Sequence, residues 1–275
     1  MNSKRCCNEL ALTRNICSVK YLVIIGLGLS LASCATSPRA AAQNTPMVPL
    51  APVKMVRERW ALFDSVRQRA IPVVLYQPAR SSSQQQLKPA ILSHGYGGRN
   101  TDYVFVAQTL VAQGYVVASI QYELPTDAPM PTVGNVRQVR QPYWERDGQN
   151  MLFVRQALGR KFPNIDLGEL LLVGHSKGGD SAMLFAEEHP ALVARVISLD
   201  NCRMPLPRAV RPRVLSLRSS DQVADSGVLP TPAEQAAFGI RIIQLQNTRH
   251  NDMQDGGTKA QKQAISAAIA RFLAQ

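Results

Sequence analysis

The stretch that decides the fold is Leu-Leu-Leu-Val-Gly-His-Ser-Lys-Gly-Gly at residues 170–179. Its apolar first half is typical of a buried strand, and residues 177–189 then have helical spacing up to Pro190. Glycines on either side keep neighbouring side chains minimal where Ser176 would lie on a sharp strand-to-helix turn. A bare Gly-x-Ser-x-Gly pattern often arises by chance, so the strand before it and the helix after it carry the prediction. The alternative is a glycine-rich turn with an inert serine.

Outward from this stretch, apolar strands and helical segments alternate over residues 56–275. Such alternation predicts an α/β fold of three layers, with a mostly parallel central sheet and helices on both faces. Functional groups in such sheets lie at the carboxyl ends of the strands. Residues 125–142 hold four prolines and are predicted to be irregular. Strands are predicted at residues 57–66, 70–76, 88–93, 115–122, 169–173, 196–199, 214–217 and 240–245, and helices at 103–113, 143–162, 177–189, 233–238 and 258–273.

A serine nucleophile needs a base, and the chain holds four histidines. His94 lies in the turn after a predicted strand, His175 adjoins the serine, and His189 ends a helix. His250 follows the last predicted strand, in a loop that can reach the carboxyl edge of the sheet. His250 is therefore the predicted base, and a surface-loop histidine is the alternative.

The base needs a carboxylate to orient it, and three aspartates are candidates. Asp221 and Asp225 follow the strand predicted at 214–217, and Asp200 follows the strand at 196–199. Asp221 is preferred because it comes at the turn where a strand would deliver it. Asp200 is the second candidate, and its alternative role is to cap the turn that follows.

The chain order Ser176, Asp221, His250 matches the serine–acid–histidine order of α/β-hydrolases. Residues 69–78 and the turn Ser-His-Gly-Tyr-Gly-Gly at 93–98 resemble serine esterases related to dienelactone hydrolases and acetylhydrolases. This resemblance covers roughly residues 57–275. It implies the α/β-hydrolase fold and cleavage of small-molecule carboxylic esters through an acyl-enzyme intermediate.

The resemblance also implies an oxyanion hole made of two backbone amides, those of Tyr96 and Lys177. Because backbone groups would do this, the two side chains are expected to be free to vary. Dienelactone hydrolases use a cysteine nucleophile, so Ser176 favours simple ester hydrolysis. The insertion at 122–144 is long enough to shape a substrate pocket. No metal or organic cofactor is implied, because neither zinc-binding cysteine spacing nor a nucleotide-binding glycine motif is present.

Residues 1–33 have the features of an export signal: a positively charged start and an apolar run at 21–33, too short to span a bilayer comfortably. The run ends in Leu-Ala-Ser-Cys, which resembles a bacterial lipobox and implies lipidation of Cys34. An ordinary secretory signal or an uncleaved anchor is the alternative. Residues 34–55 are then a flexible tether, and 56–275 the domain. The expected location is the bacterial cell envelope, anchored by lipid, and Ala35 favours the outer membrane.

The chain carries a formal charge of +12, of which the four cations and one anion before Cys34 supply +3. Basic residues are scattered over the remaining +9, so a basic surface is a simpler interpretation than nucleic-acid binding. A monomer is expected. Two alternatives to an esterase stay open: an amidase or peptidase with the same triad, and a non-catalytic binding lipoprotein on the same fold.

Overall fold

Eight strands form one sheet in the computed structural model of the protein, which describes residues 54–79 and 86–275. The first two strands make an antiparallel hairpin, and the second also pairs antiparallel with the fourth. All other pairs are parallel, in the spatial order β1-β2-β4-β3-β5-β6-β7-β8. The strands are β1 (Met55–Asp64), β2 (Arg69–Pro78), β3 (Lys88–Ser93), β4 (Tyr115–Ile120), β5 (Leu171–His175), β6 (Arg195–Leu199), β7 (Arg213–Arg218) and β8 (Arg241–Gln244).

Helices cover both faces of the sheet, which confirms the predicted three-layer α/β architecture. One apolar core lies between the sheet and helices α2 and α3, and the other between the sheet and helices α1 and α5. Strands β3, β4 and β5 are buried along nearly their whole length because both of their faces are covered. The helices are α1 (Val104–Ala112), α2 (Val136–Lys161), α3 (Lys177–Glu188), α4 (Pro232–Phe238) and α5 (Lys259–Leu273).

Helix α5 shows how local sequence sets these elements. Thr258 and Gln261 form a capping box in which each side chain accepts a hydrogen bond from the other residue's backbone. Ile265, Ile269 and Phe272 then recur on one helical face and are fully or almost fully buried. The helix predicted at the end of the chain is therefore confirmed.

Helix α2 corrects the prediction that residues 125–142 are irregular, since it begins at Val136 and contains Pro142. The Asn135 side chain caps the helix by accepting a hydrogen bond from the backbone N–H of Gln138. A proline inside a helix loses one backbone hydrogen bond, and the cap together with burial further along the helix offsets that loss. Residues 125–135 are irregular as predicted.

Several predictions about the N-terminus cannot be set against this fold. The export signal at 1–33, Cys34 and all but the last two residues of the tether at 34–55 lie outside the described residues. Among residues 54–79 and 86–275, no helix combines the length and the apolar character needed to cross a bilayer.

Candidate active site

Ser176 lies on a tight turn between β5 and α3. Its backbone has a φ of 51°, a left-handed conformation that is unfavourable for a residue with a side chain. Close packing surrounds the turn: a methyl group on Gly178 would lie 2.6 Å from the carbonyl oxygen of Ser93, and one on Gly174 would lie 2.6 Å from the amide nitrogen of Gly179. The two glycines are therefore required where β5 meets α3, and Ser176 is held at the carboxyl end of β5.

His250 follows β8 and starts a short 3-10 helix, His250–Asp252. Its ring Nδ1 lies 2.6 Å from Oδ2 of Asp200, the residue directly after β6. Asp200 is fully buried and has a positive φ of 60°, so the turn aims the carboxylate back toward the ring. The carboxylate that contacts the histidine is thus Asp200, the second of the sequence candidates.

The prediction that Asp221 orients His250 through its ring is wrong. Asp221 accepts a hydrogen bond of 2.7 Å from the backbone N–H of His250 and contacts Arg249, on the exposed side of the loop. The reason is strand order: β6 lies next to β5 in the sheet, so the turn after β6 falls beside Ser176, whereas β7 is one strand further away. Asp225 is also excluded, because it pairs with Arg203 at the surface.

Buried donors keep Asp200 ionised. Arg218 Nη2 lies 2.8 Å from its Oδ1, and the backbone N–H of Ser219 donates to the same oxygen at 3.1 Å. Burial by itself raises the pKa of the Asp200 carboxyl, but the hydrogen bonds from His250 and Ser219 and the charge of Arg218 lower it further than burial raises it. Sequence reasoning missed Arg218, whose one visible signal is an arginine that ends an apolar strand.

His175 contacts both the ring and the backbone of His250. Its Nε2 lies 3.0 Å from the carbonyl oxygen of His250, and its Nδ1 lies 2.8 Å from the hydroxyl of Tyr103. These contacts are satisfied when Nε2–H donates to the carbonyl and the Tyr103 hydroxyl donates to Nδ1. A ring with one proton, on Nε2, is neutral. Burial, together with the nearby His250, lowers the pKa of His175 to about 3. His175 is therefore a buried neutral ring that fixes the backbone of the His250 loop.

We expect the domain to lose stability on acidification partly through His175. Its folded pKa lies below the unfolded value of about 6.5, so the unfolded chain takes up the proton first and the native state weakens as pH falls below 6.5. Between pH 7 and 5 this contributes about 2 kcal/mol of lost unfolding free energy. Urea unfolding of wild type and His175→Gln should be measured at both pH values. The unfolding free energy lost between pH 7 and pH 5 should be about 2 kcal/mol smaller in the variant.

Because other titrating groups are common to both proteins, the difference isolates His175. The ring should also remain neutral at pH 5 in a histidine NMR spectrum of the wild type. Equal pH losses in the two proteins, or a protonated His175 at pH 5, would contradict the assignment.

The turn after β3 places Tyr96 near the nucleophile. A methyl group on Gly95 would lie 3.4 Å from Ser176 Cβ, so this turn packs against the serine. Lys177 is the first residue of α3, and an amide at that position has no acceptor within the helix. The two amides predicted to form an oxyanion hole therefore belong to the two backbone segments next to Ser176, the turn after β3 and the start of α3.

The expectation that the Lys177 side chain is free to vary is wrong. This side chain is only 4% exposed, and its Nζ lies 2.6 Å from Glu123 Oε1 and forms a second ion pair with Asp147 on α2. Asp147 is fully buried, and burial raises the pKa of its carboxyl. The Tyr96 side chain is also engaged, because its hydroxyl accepts a hydrogen bond from the backbone of Met130. The Lys177 side chain is therefore fixed by buried ion pairs, and the Tyr96 side chain, although 46% exposed, is fixed by a hydrogen bond.

A cavity of about 210 Å³ joins these groups, with Ser176 and His250 both in its wall. No hydrogen bond joins their side chains among residues 54–79 and 86–275, and such bonds often tighten only when substrate binds. The insertion at 122–144 supplies one wall, as predicted. The other lining residues are Tyr96, Met130, Thr132, Arg140, Trp144, Lys177, Asp180, Cys202, Arg203 and Gln222. A larger cavity, of about 500 Å³, lies at the β1–β2 turn and contains none of the candidate site residues.

Asp200, Cys202 and His250 also have ligand atoms within 4.8 Å of one another, a spacing that could accept a metal ion. However, Asp200 and His250 are hydrogen-bonded to each other, and the cation Arg218 contacts the same carboxylate. A histidine held by a buried, ionised carboxylate beside a serine is instead the arrangement that activates a nucleophile.

No protein-family model matches the chain, and no curated protein matches it in sequence. Its backbone does match an esterase from Rhizomucor miehei, with a TM-score of 0.61, 14% identity, and coverage of 82% of this chain and 84% of the other. The chain has the α/β-hydrolase fold. A ferulic acid esterase from Streptomyces cinnamoneus has a TM-score of 0.57 at 19% identity, covering 82% of this chain and 91% of that one.

A dienelactone hydrolase-like promiscuous phosphotriesterase from metagenomic libraries has a TM-score of 0.55 at 12% identity, covering 80% of this chain and 98% of its own. At such low identity these likenesses establish the α/β-hydrolase fold alone.

Proposed function

We propose that this protein is a serine hydrolase that cleaves carboxylic esters, with Ser176 as nucleophile, His250 as general base and Asp200 as the orienting acid. The observation that carries the proposal is the hydrogen bond of 2.6 Å between His250 Nδ1 and the buried Asp200 carboxylate, next to a cavity that Ser176 also lines. An ionised Asp200 holds the proton on Nδ1, which leaves Nε2 free to accept the proton of the serine hydroxyl.

In the proposed reaction, Ser176 Oγ attacks the ester carbonyl while its proton moves to His250 Nε2. The negative charge on the former carbonyl oxygen is stabilised by the backbone amides of Tyr96 and Lys177. His250 then gives the proton to the departing alcohol, and an acyl-enzyme remains. Water, deprotonated by the same ring, releases the acid and restores Ser176.

We propose ester rather than amide substrates by analogy with two proteins of the same fold, the esterases from Rhizomucor miehei and Streptomyces cinnamoneus. An amidase or peptidase would use the same groups. Rates on matched ester and anilide substrates separate the two activities, and we expect turnover of the ester.

We also propose that the domain is a monomer, anchored to the bacterial cell envelope through lipidated Cys34. The support is the sequence Leu-Ala-Ser-Cys at 31–34 directly after a charged start and an apolar run. Replacing Cys34 with serine should prevent incorporation of labelled fatty acid and move the protein from the membrane fraction. Unchanged membrane association would overturn the lipid anchor.

Labelling with a fluorophosphonate tests the activated serine directly. We expect the soluble domain to be labelled, Ser176→Ala to show no labelling, and His250→Ala to react at least a hundredfold more slowly, because the serine then lacks its base. Ser226→Ala, at an exposed serine, is the matched control and should react like the wild type. An unlabelled but folded wild type would reject the hydrolase and favour a ligand-binding protein on the same fold.

A further inference from the structure

Four charged side chains lie in the wall of the cavity beside Ser176, among apolar and uncharged polar ones. Among the residues that line it, Arg140, Lys177 and Arg203 are cationic and Asp180 is anionic. The volume of about 210 Å³ is small for a long acyl chain, and the lining combines apolar surface with charged and polar side chains. The cavity therefore suits a small polar ester, and the free charges decide which one.

Two of the three cations are already matched by carboxylates. Lys177 is ion-paired with Glu123 and Asp147, and Arg203 is ion-paired with Asp225. Bringing a further anion to either cation would compete with these contacts. Lys177 and Arg203 are therefore less suited than an unpaired cation to bind the negative charge of a ligand.

One carboxylate oxygen of Asp180 receives several donors from the loop that follows β6. Its Oδ1 accepts hydrogen bonds from three consecutive backbone amides, at 3.2, 2.8 and 3.0 Å, and lies 3.5 Å from the side-chain nitrogen of Asn201. The three amides belong to residues 202–204. Their converging dipoles offset the carboxylate's charge, so Asp180 holds the loop in place and is a weak barrier to an anion.

Arg140 differs from the other cations. In the described part of the chain it has no carboxylate within 4.0 Å, and its one hydrogen bond runs from Nε to the carbonyl oxygen of Pro131, at 3.0 Å. That bond fixes the direction of the guanidinium and leaves its two terminal nitrogens as donors. Trp144, one helical turn further along α2, lines the same wall, and its buried indole N–H has no hydrogen-bond partner among the residues that the structure describes. Because this N–H is not used inside the protein and Trp144 lines the cavity, it is available to donate to a ligand there.

We infer that this cavity selects esters carrying a second, anionic group such as a carboxylate, and that Arg140 binds that group, with the Trp144 N–H as an additional donor. The inference rests on the proposed ester hydrolysis and names its substrate class. A planar guanidinium binds a carboxylate through two parallel hydrogen bonds. The net charge of +9 on residues 34–275 also attracts anionic substrates to the protein as a whole.

The test compares kcat/KM for pairs of esters that differ in charge. One pair, 4-nitrophenyl hemisuccinate against 4-nitrophenyl pentanoate, places the anion on the acyl side, and the other, 4-acetoxybenzoate against 4-methylphenyl acetate, places it on the alcohol side. We expect wild type to prefer the anionic member of at least one pair about tenfold or more, as a charge-assisted hydrogen bond implies. Arg140→Gln should abolish that preference, while Arg160→Gln, at an exposed arginine on the same helix, should keep the preference and the rates on both esters.

A wild type that favours the neutral member of both pairs would overturn the inference, as would a preference that survives in Arg140→Gln. Failure of the proposed function looks different, because no ester would then be turned over and Ser176 would not react with a fluorophosphonate. In that case the anion site is tested by binding of glutarate, measured as a change in Tm. Glutarate should raise the Tm of wild type and of Arg160→Gln but not of Arg140→Gln. No rise in wild type, or the same rise in all three proteins, would refute the anion site.

Discussion

Asp200→Asn is expected to lower kcat for ester hydrolysis about ten-thousandfold, and Asp221→Asn less than tenfold. The expectation follows from their contacts, since Asp200 accepts from the His250 ring and Asp221 accepts from its backbone. An amide at position 200 can present its NH₂ group to Nδ1, which favours the tautomer that has its proton on Nε2 and is unable to accept one from the serine. A comparable amide substitution in a serine protease triad lowers kcat by about this factor.

The measurement is single-turnover and steady-state hydrolysis of a 4-nitrophenyl ester by the two variants and wild type at pH 8. Far-UV circular dichroism and a melting curve show whether the Asp200 variant is folded, since Arg218 loses a charged partner in it. Should Asp200→Asn unfold, Asp221→Asn still decides, because a loss of kcat near ten-thousandfold in that variant would assign the acid to Asp221 instead. Equal losses in the Asp200 and Asp221 variants would refute the assignment of the acid.

Gly174→Ala is expected to destabilise the domain by about 3 kcal/mol or more, whereas Gly256→Ala should change its stability by less than about 0.5 kcal/mol. A methyl group on Gly174 would lie 2.6 Å from the amide nitrogen of Gly179 and even closer to the backbone of Gly178. Backbone atoms cannot rotate aside, so β5 and α3 would have to separate. Gly256 has open space around it, and its φ lies outside the left-handed range.

Urea unfolding of the two variants and wild type, followed by tryptophan fluorescence, gives these differences. If Gly174→Ala accumulates only in the insoluble fraction while Gly256→Ala is soluble, the expected order still holds. Similar midpoints for the two variants would show that the turn tolerates a side chain and that its packing does not require glycine.

Local patterns were sufficient to predict the fold and to select two of the three residues of the proposed triad. The apolar run before Ser176 and the helical spacing after it predicted the turn, and His250 was predicted from its place after the last strand. These properties depend on residues close in sequence. Asp200 was ranked second because the order of strands in space, which puts β6 next to β5, cannot be read from alternation alone.

The same limit explains what was missed around the site. Lys177 contacts carboxylates from two distant segments, and Arg218 contacts a carboxylate from the neighbouring strand. Sequence periodicity does not predict such ion pairs, because each one depends on how helices, strands and loops that are distant in sequence pack together. The start of α2 was missed because the four prolines at 125–142 predicted irregular structure. The N-terminal cap at Asn135 was not given enough weight against them.

The proposed nucleophile, acid and base come from the ends of β5, β6 and β8, so the base is the last of them to leave the ribosome. A chain whose synthesis has stopped before residue 250 would contain the nucleophile and the acid but no means of activating the serine. Incomplete products would therefore be inert toward esters in the compartment where they are made. Hydrolysis would begin only after the final strand had joined the sheet, so catalytic rate would report the amount of fully folded protein.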